Sequence, residues 1–160
     1  MQVKEVRFYD REEIKELERI VEKNYGSRID LSKFLVFESG KERKVWLLTK
    51  KFFEIDLSKL KINSFGLYFG KLKRNEKIHL STEGAQLVGK NATKNVLELD
   101  EASALKFMQG SDLKIKLPKN CEAHNFVIIK RKDDILGCSL ALEDGIKNLL
   151  PKSRRIIGIS

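Results

Sequence analysis

The sequence predicts an α+β fold in two parts, an N-terminal antiparallel sheet flanked by helices and a C-terminal, mostly antiparallel β-barrel carrying one helix. Three stretches carry this reading. Asn95 to Leu117 runs as a strand, a capped helix, a glycine stop and a second strand. Asn125–Arg131 and Ile135–Leu142 flank the polar turn Lys132-Asp133-Asp134, the pattern of a β-hairpin. Phe34–Phe37 and Val45–Leu48 flank Ser39-Gly40-Lys41-Glu42 in the same way.

In chain order, Asp10-Arg11-Glu12-Glu13 reads as a capping box ahead of Ile14, Leu17, Val21 and Tyr25, spaced for one helix face, and Gly26 closes that helix. The first hairpin follows, then a short amphipathic run from Phe52 to Leu60. Gly66 to Leu72 reads as a strand with two glycines, Lys77 to Leu80 as its continuation, and Ser81 to Val88 as a short helix. The polar stretch Gly89 to Thr93 is the chosen boundary, which gives domains 1–92 and 93–160. Each half is small enough that the two are expected to pack on each other.

Beyond the boundary, Val96, Leu97 and Leu99 form a strand, Asp100 is an N-cap, and Gly110 ends the helix through Met108. Leu113-Lys114-Ile115-Lys116-Leu117 alternates as a strand does. Gly137 inside the hairpin's second strand marks a bulge or a close backbone approach. Past Pro151, Ile156, Ile157 and Ile159 read as a closing strand.

The 160 residues include 32 Lys and Arg against 23 Asp and Glu, a net charge of +9, which favours a polyanionic partner. The excess is concentrated. Lys147, Lys152, Arg154 and Arg155 have no acid among them, whereas Asp10 to Glu22 is acid-rich. No apolar run is long enough to span a membrane, and the charged start does not read as a signal peptide, so a soluble, cytoplasmic protein with no membrane partner is expected. Cys121 and Cys138 lack metal-ligand spacing and read as buried thiols.

No catalytic or cofactor fingerprint emerges. Gly66-Leu67-Tyr68-Phe69-Gly70-Lys71 fails as a P-loop because its glycine spacing is one residue short and Leu72 stands where Ser or Thr would hold magnesium. His79 in an alternating strand and His124 in a polar loop have no second histidine at ligand spacing. Asp133-Asp134 and Glu143-Asp144 read as solvated turn acids. A binding protein is expected rather than an enzyme, with no cofactor and no metal.

The order NVLELDEASALKFMQGSDL resembles the opening of a PUA domain, an RNA-binding pseudo-barrel. Together with Gly66 to Leu80, Ile135-Leu136-Gly137 and the basic end, the element order resembles the Nip-seven family of ribosome-biogenesis proteins, in which a pre-PUA domain precedes a C-terminal PUA domain. The lysine-heavy composition looks like an archaeal member. The resemblance implies single-stranded, uridine-rich RNA as ligand, a ribosomal RNA precursor above all, and assembly or RNA-processing proteins as partners of the N-terminal domain. In a eukaryote it implies a nucleolar location.

The expected RNA contacts are Lys147, Lys152, Arg154 and Arg155, whose guanidinium forks match phosphate oxygens, although such charges also serve as plain solubilising groups. Arg154 and Arg155, adjacent on a strand, would face opposite sides. Lys71, Lys73, Arg74 and Lys77 are a second candidate set, or else a solvated sheet edge. About four phosphate contacts would give a log–log salt slope of roughly −3. An RNA-modifying enzyme or its accessory subunit, targeted by a PUA domain, and a purely protein-binding adaptor stay open.

Overall fold

The computed structural model describes residues 6–49 and 66–156. The amphipathic run predicted from Phe52 to Leu60, and Ile157 and Ile159 of the predicted closing strand, lie outside those residues.

Two five-stranded sheets divide the described residues. β1 (Val6–Phe8), β2 (Phe34–Ser39), β3 (Lys44–Thr49), β4 (Leu67–Lys73) and β5 (Lys77–Leu80) form an antiparallel meander in that order. Helix α1 (Arg11–Tyr25) starts at the capping box read from the sequence: the Asp10 carboxylate accepts the Glu13 N–H and Glu13 accepts the Asp10 N–H. It stops at Gly26, whose φ of 63° a side chain would oppose. Lys77 to Leu80 is not a continuation of β4 but its antiparallel partner. The turn between them uses Asn75 and Glu76 at φ 62° and 55°, two left-handed residues in succession and neither a glycine, which is why it was not legible.

Helix α2 (Thr82–Gly89) is capped by Ser81 and lies close against β4, since a Cβ on Gly84 would meet the Phe69 carbonyl oxygen at 2.1 Å. The second sheet follows in the order β6 (Val96–Glu98), β8 (Phe126–Arg131), β9 (Asp134–Leu142), β10 (Gly145–Lys147), β7 (Leu113–Lys114). Among the described strands only the β6–β8 pair is parallel. Helix α3 (Glu101–Met108) connects β6 to β7 and is capped by Asp100 as expected. The bulge anticipated at Gly137 is present: Ile129 pairs with Gly137 but Lys130 with Ile135, so Leu136 is the extra residue.

The strand pleat gives the second sheet two employed faces. Val127, Ile129, Ala141 and Ile146 point inward with Leu97, Leu99 and Phe107 to form the barrel's own core. Ile128 and Cys138 point the other way, into the core built by Leu17, Val21 and Tyr25 of α1 and Phe69 and Ile78 of the first sheet. The halves therefore share apolar core, as small domains that bury little on their own must. A buried polar cluster ties the same seam. Asn95 donates to the Asn24 carbonyl at 2.6 Å and accepts the Glu122 N–H at 3.0 Å, while the Tyr25 hydroxyl donates to the Ile78 carbonyl at 2.8 Å.

The predicted closing strand is absent over its described part. Pro151 leads into a 3-10 turn, Lys152–Arg154, after which the Ile156 N–H donates to the Met108 carbonyl at 2.8 Å. Barrel closure is achieved elsewhere, by the segment that leaves β7. Asn120 accepts the Asn95 N–H on its backbone oxygen at 2.8 Å and the Val96 N–H on its side chain at 3.1 Å, which ties this segment to the free edge of β6.

Candidate nucleic-acid interface

The four C-terminal cations predicted from the sequence do not form one surface. Lys147 and Lys152 are exposed and have no ion pair among the described residues. Arg154 does not sit on a strand facing away from Arg155; it lies on the 3-10 turn and pairs with Glu83 of α2, seventy-one residues earlier. Arg155 folds back, its Nε donating to the Leu150 carbonyl at 3.0 Å and its Cδ packed over Gly110, where a Cβ would approach to 2.7 Å. The Arg155 stem is therefore a strap across the end of α3, a task its neighbours in sequence do not reveal.

The second predicted set is also divided. Lys71 lies 3.5 Å from Glu42, and Lys77 donates to the His124 carbonyl at 2.8 Å, a tie between the two halves. Lys73 and Arg74 are exposed at the β4–β5 turn, beside Glu76, which Arg19 and Lys23 already neutralise.

A better cationic surface lies along the seam where the barrel closes. Leu113, Ile115 and Leu117 turn into the barrel core, so Lys114 and Lys116 are exposed, as strand alternation requires. Register then brings in a neighbour. Gly145 of β10 lies opposite Lys114, which places Lys147, two residues on, on the same outer face and diagonal to Lys114. Beyond Lys116 the chain turns at Pro118, with the Cys121 N–H donating to the Pro118 carbonyl at 3.0 Å, and presents Lys119. Lys116, Lys119 and Lys130 of β8 line a groove of about 680 Å³ floored by Val96, Leu97, Leu117 and Pro118, with Glu98 as its one acid among the described residues. None of these lysines has an ion pair with a described residue. The row Lys147, Lys114, Lys116, Lys119, Lys130 thus offers ammonium groups along a partly apolar track, which suits a phosphate backbone with bases laid against it.

Sequence reading missed four of these five lysines. The signal for two was present, since the alternation that made residues 113–117 a strand also puts Lys114 and Lys116 outside. Lys119 and Lys130 had no such signal, because only closure of the barrel by Asn120 brings them together.

Among the described residues the remaining polar groups do not gather into a catalytic cluster. Burial lowers the His79 imidazole to about 4, partly opposed by its contact with the Cys138 carbonyl at 3.2 Å, and the ring stacks on Phe126. The carbonyl only accepts, so Nε2 carries the proton. Burial raises the Cys121 thiol to about 11 and the Cys138 thiol to about 12, which leaves both un-ionised and poorly nucleophilic. Among the described residues no three His, Cys, Asp or Glu side chains gather as a metal site, and no helix is long and apolar enough to cross a membrane. Gly66 to Lys71 is strand and entry to strand, with no helix behind it to form a phosphate cradle.

Comparison with known proteins accords with the barrel. Residues 94–156 match the family described as the methyltransferase RsmF PUA domain. The chain is 27% identical over 113 residues, 71% of its length, to the ribosomal RNA small subunit methyltransferase F of Aeromonas hydrophila subsp. hydrophila, and equally to that of Aeromonas salmonicida. It spans 23% of the length of these curated relatives. A PUA-like domain therefore occupies residues 94–156, and the lysine seam lies on that domain.

Proposed function

We propose that this protein binds single-stranded RNA along the lysine seam of its PUA-like domain and acts in ribosome biogenesis, as a binding protein rather than a catalyst. The observation that carries the reading is the coincidence of a PUA family match with a row of lysines free of acid partners among the described residues, in a chain of net charge +9. The groove's apolar floor favours single strands, whose unstacked bases can lie on Val96, Leu117 and Pro118 while phosphates meet the lysines. The Nip-seven resemblance points to precursor ribosomal RNA, with the first sheet offering protein contacts and uridine-rich sequence as the preferred ligand. The cytoplasm is the expected compartment.

A second reading is favoured by the curated relatives, which are named as ribosomal RNA methyltransferases. On it, the chain is the RNA-targeting module of an RNA-modifying activity. Both readings share the same RNA. Ultraviolet crosslinking in cells followed by sequencing of the attached RNA tests them: ribosomal RNA should be recovered, and reads confined to messenger or transfer RNA would overturn both. Clustering of the crosslinks around a methylated nucleotide of ribosomal RNA would favour the targeting module.

A further inference from the structure

A cleft of about 530 Å³ lies between the two sheets and differs in chemistry from the lysine seam. Its lining includes no lysine among the described residues. Trp46 and Tyr68 form one wall, Pro151 and Arg154 another, with Glu83 at the mouth and His79 behind. Trp46 and Tyr68 are directly opposed on β3 and β4, with ring centroids 5.1 Å apart. The indole N–H is already used, donating to Ser39 Oγ at 2.8 Å, so Trp46 presents ring surface rather than a donor. His79 is held neutral by burial. The cleft is thus aromatic and uncharged inside, with one ion pair at its rim.

We propose that this cleft receives one unpaired nucleotide of the bound RNA, its base against Tyr68 and Trp46 and its polar edge or phosphate at the Arg154–Glu83 pair. A guanidinium has five N–H donors, so pairing with Glu83 fixes Arg154 at the mouth and leaves donors free for a phosphate or base acceptor. The Glu83 carboxylate accepts from a base N–H. The volume falls in the range of small-ligand sites, roughly 300–1,000 Å³, room for one nucleotide rather than a strand. Lys147 and Lys152, both exposed, lie within a few residues of Pro151 and Arg154 in sequence. The assignment rests on the RNA-binding reading and adds a base-recognising pocket to it.

Trp46 is the chain's single tryptophan and reports directly on the cleft. The test is titration of the full chain with a mixed-sequence 12-nucleotide single-stranded RNA, following tryptophan emission and the anisotropy of a label on the RNA. Saturation should quench Trp46. Tyr68→Leu should abolish the quench and weaken binding about tenfold, as removal of one base stack does, while Tyr68→Phe keeps both. Should a thermal melt show Tyr68→Leu to be unfolded, the exposed change Arg154→Gln serves instead, with a threefold or larger loss of affinity expected. Salt-sensitive binding without a change in Trp46 emission, or with full affinity in the variants, overturns the cleft assignment and leaves RNA binding standing. Absence of binding at any salt concentration overturns both.

Discussion

Replacing Lys116, Lys119 and Lys130 together with glutamine removes three ammonium groups from the groove without touching a buried contact, because none has an ion-pair or hydrogen-bond partner among the described residues. Each phosphate contact to a single strand contributes about 0.7 to the log–log salt slope. The five-lysine row then predicts a slope near −3.5, and the triple variant should lose about 2 of it. Between 50 and 200 mM salt, a slope difference of about 2 is roughly a 15-fold difference in how far affinity falls. Fluorescence anisotropy of a labelled 12-nucleotide single strand across that range measures it. Thermal melting should change little, since Lys116 and Lys119 are exposed and Lys130, though half-buried, has no ion pair with a described residue, and such substitutions usually shift stability by under about 0.5 kcal/mol each. An unchanged slope in a folded triple variant would refute the seam as the phosphate track.

Three further outcomes follow from the same geometry. Arg155→Ala should lower stability by about 1 kcal/mol through loss of its bond to Leu150, with the salt slope unchanged, whereas Lys147→Ala should reduce the slope and spare stability; urea titration and anisotropy read the two. Asn95→Ala strands the Asn24 carbonyl and the Glu122 N–H in a buried seam and puts alanine at φ 54°, so a loss of about 3 kcal/mol is expected in urea unfolding. His79 has a folded pKa near 4 against about 6.5 unfolded, so the unfolded chain binds the extra proton: its contribution is complete above pH 6.5 and fades as pH falls toward 4. Urea unfolding at pH 7 and pH 4.5 should show wild type losing about 2 kcal/mol more than His79→Phe, and equal losses would contradict the assignment.

Local signals were the legible part of this fold. Asp10 with Glu13, Asp100, Gly26 and Gly110 mark helix ends through contacts within a few residues, and all four act as read. Gly137 inside a strand pattern signals either a bulge or a close backbone approach, and the structure has the bulge. What failed depended on distance along the chain. Arg154 looked free until the fold brought Glu83 to it, and Arg155 looked like a ligand-facing cation until Gly110 opened a place for its stem. Ile156 has strand propensity, but it follows the 3-10 turn and its N–H bonds the Met108 carbonyl at α3's end instead of a neighbouring strand. Asn75 and Glu76 turn the β4–β5 hairpin without glycine, and Asn120 closes the barrel with hydrogen bonds that no local pattern encodes.

Hydrogen–deuterium exchange of the full chain, alone and saturated with a 12-nucleotide single-stranded RNA, tests most directly whether the barrel seam holds RNA. Slowed exchange is predicted over β6, residues 114–120 and the Lys130 end of β8. Protection confined to the first sheet and α1, with that seam exchanging as in the free protein, would contradict the account.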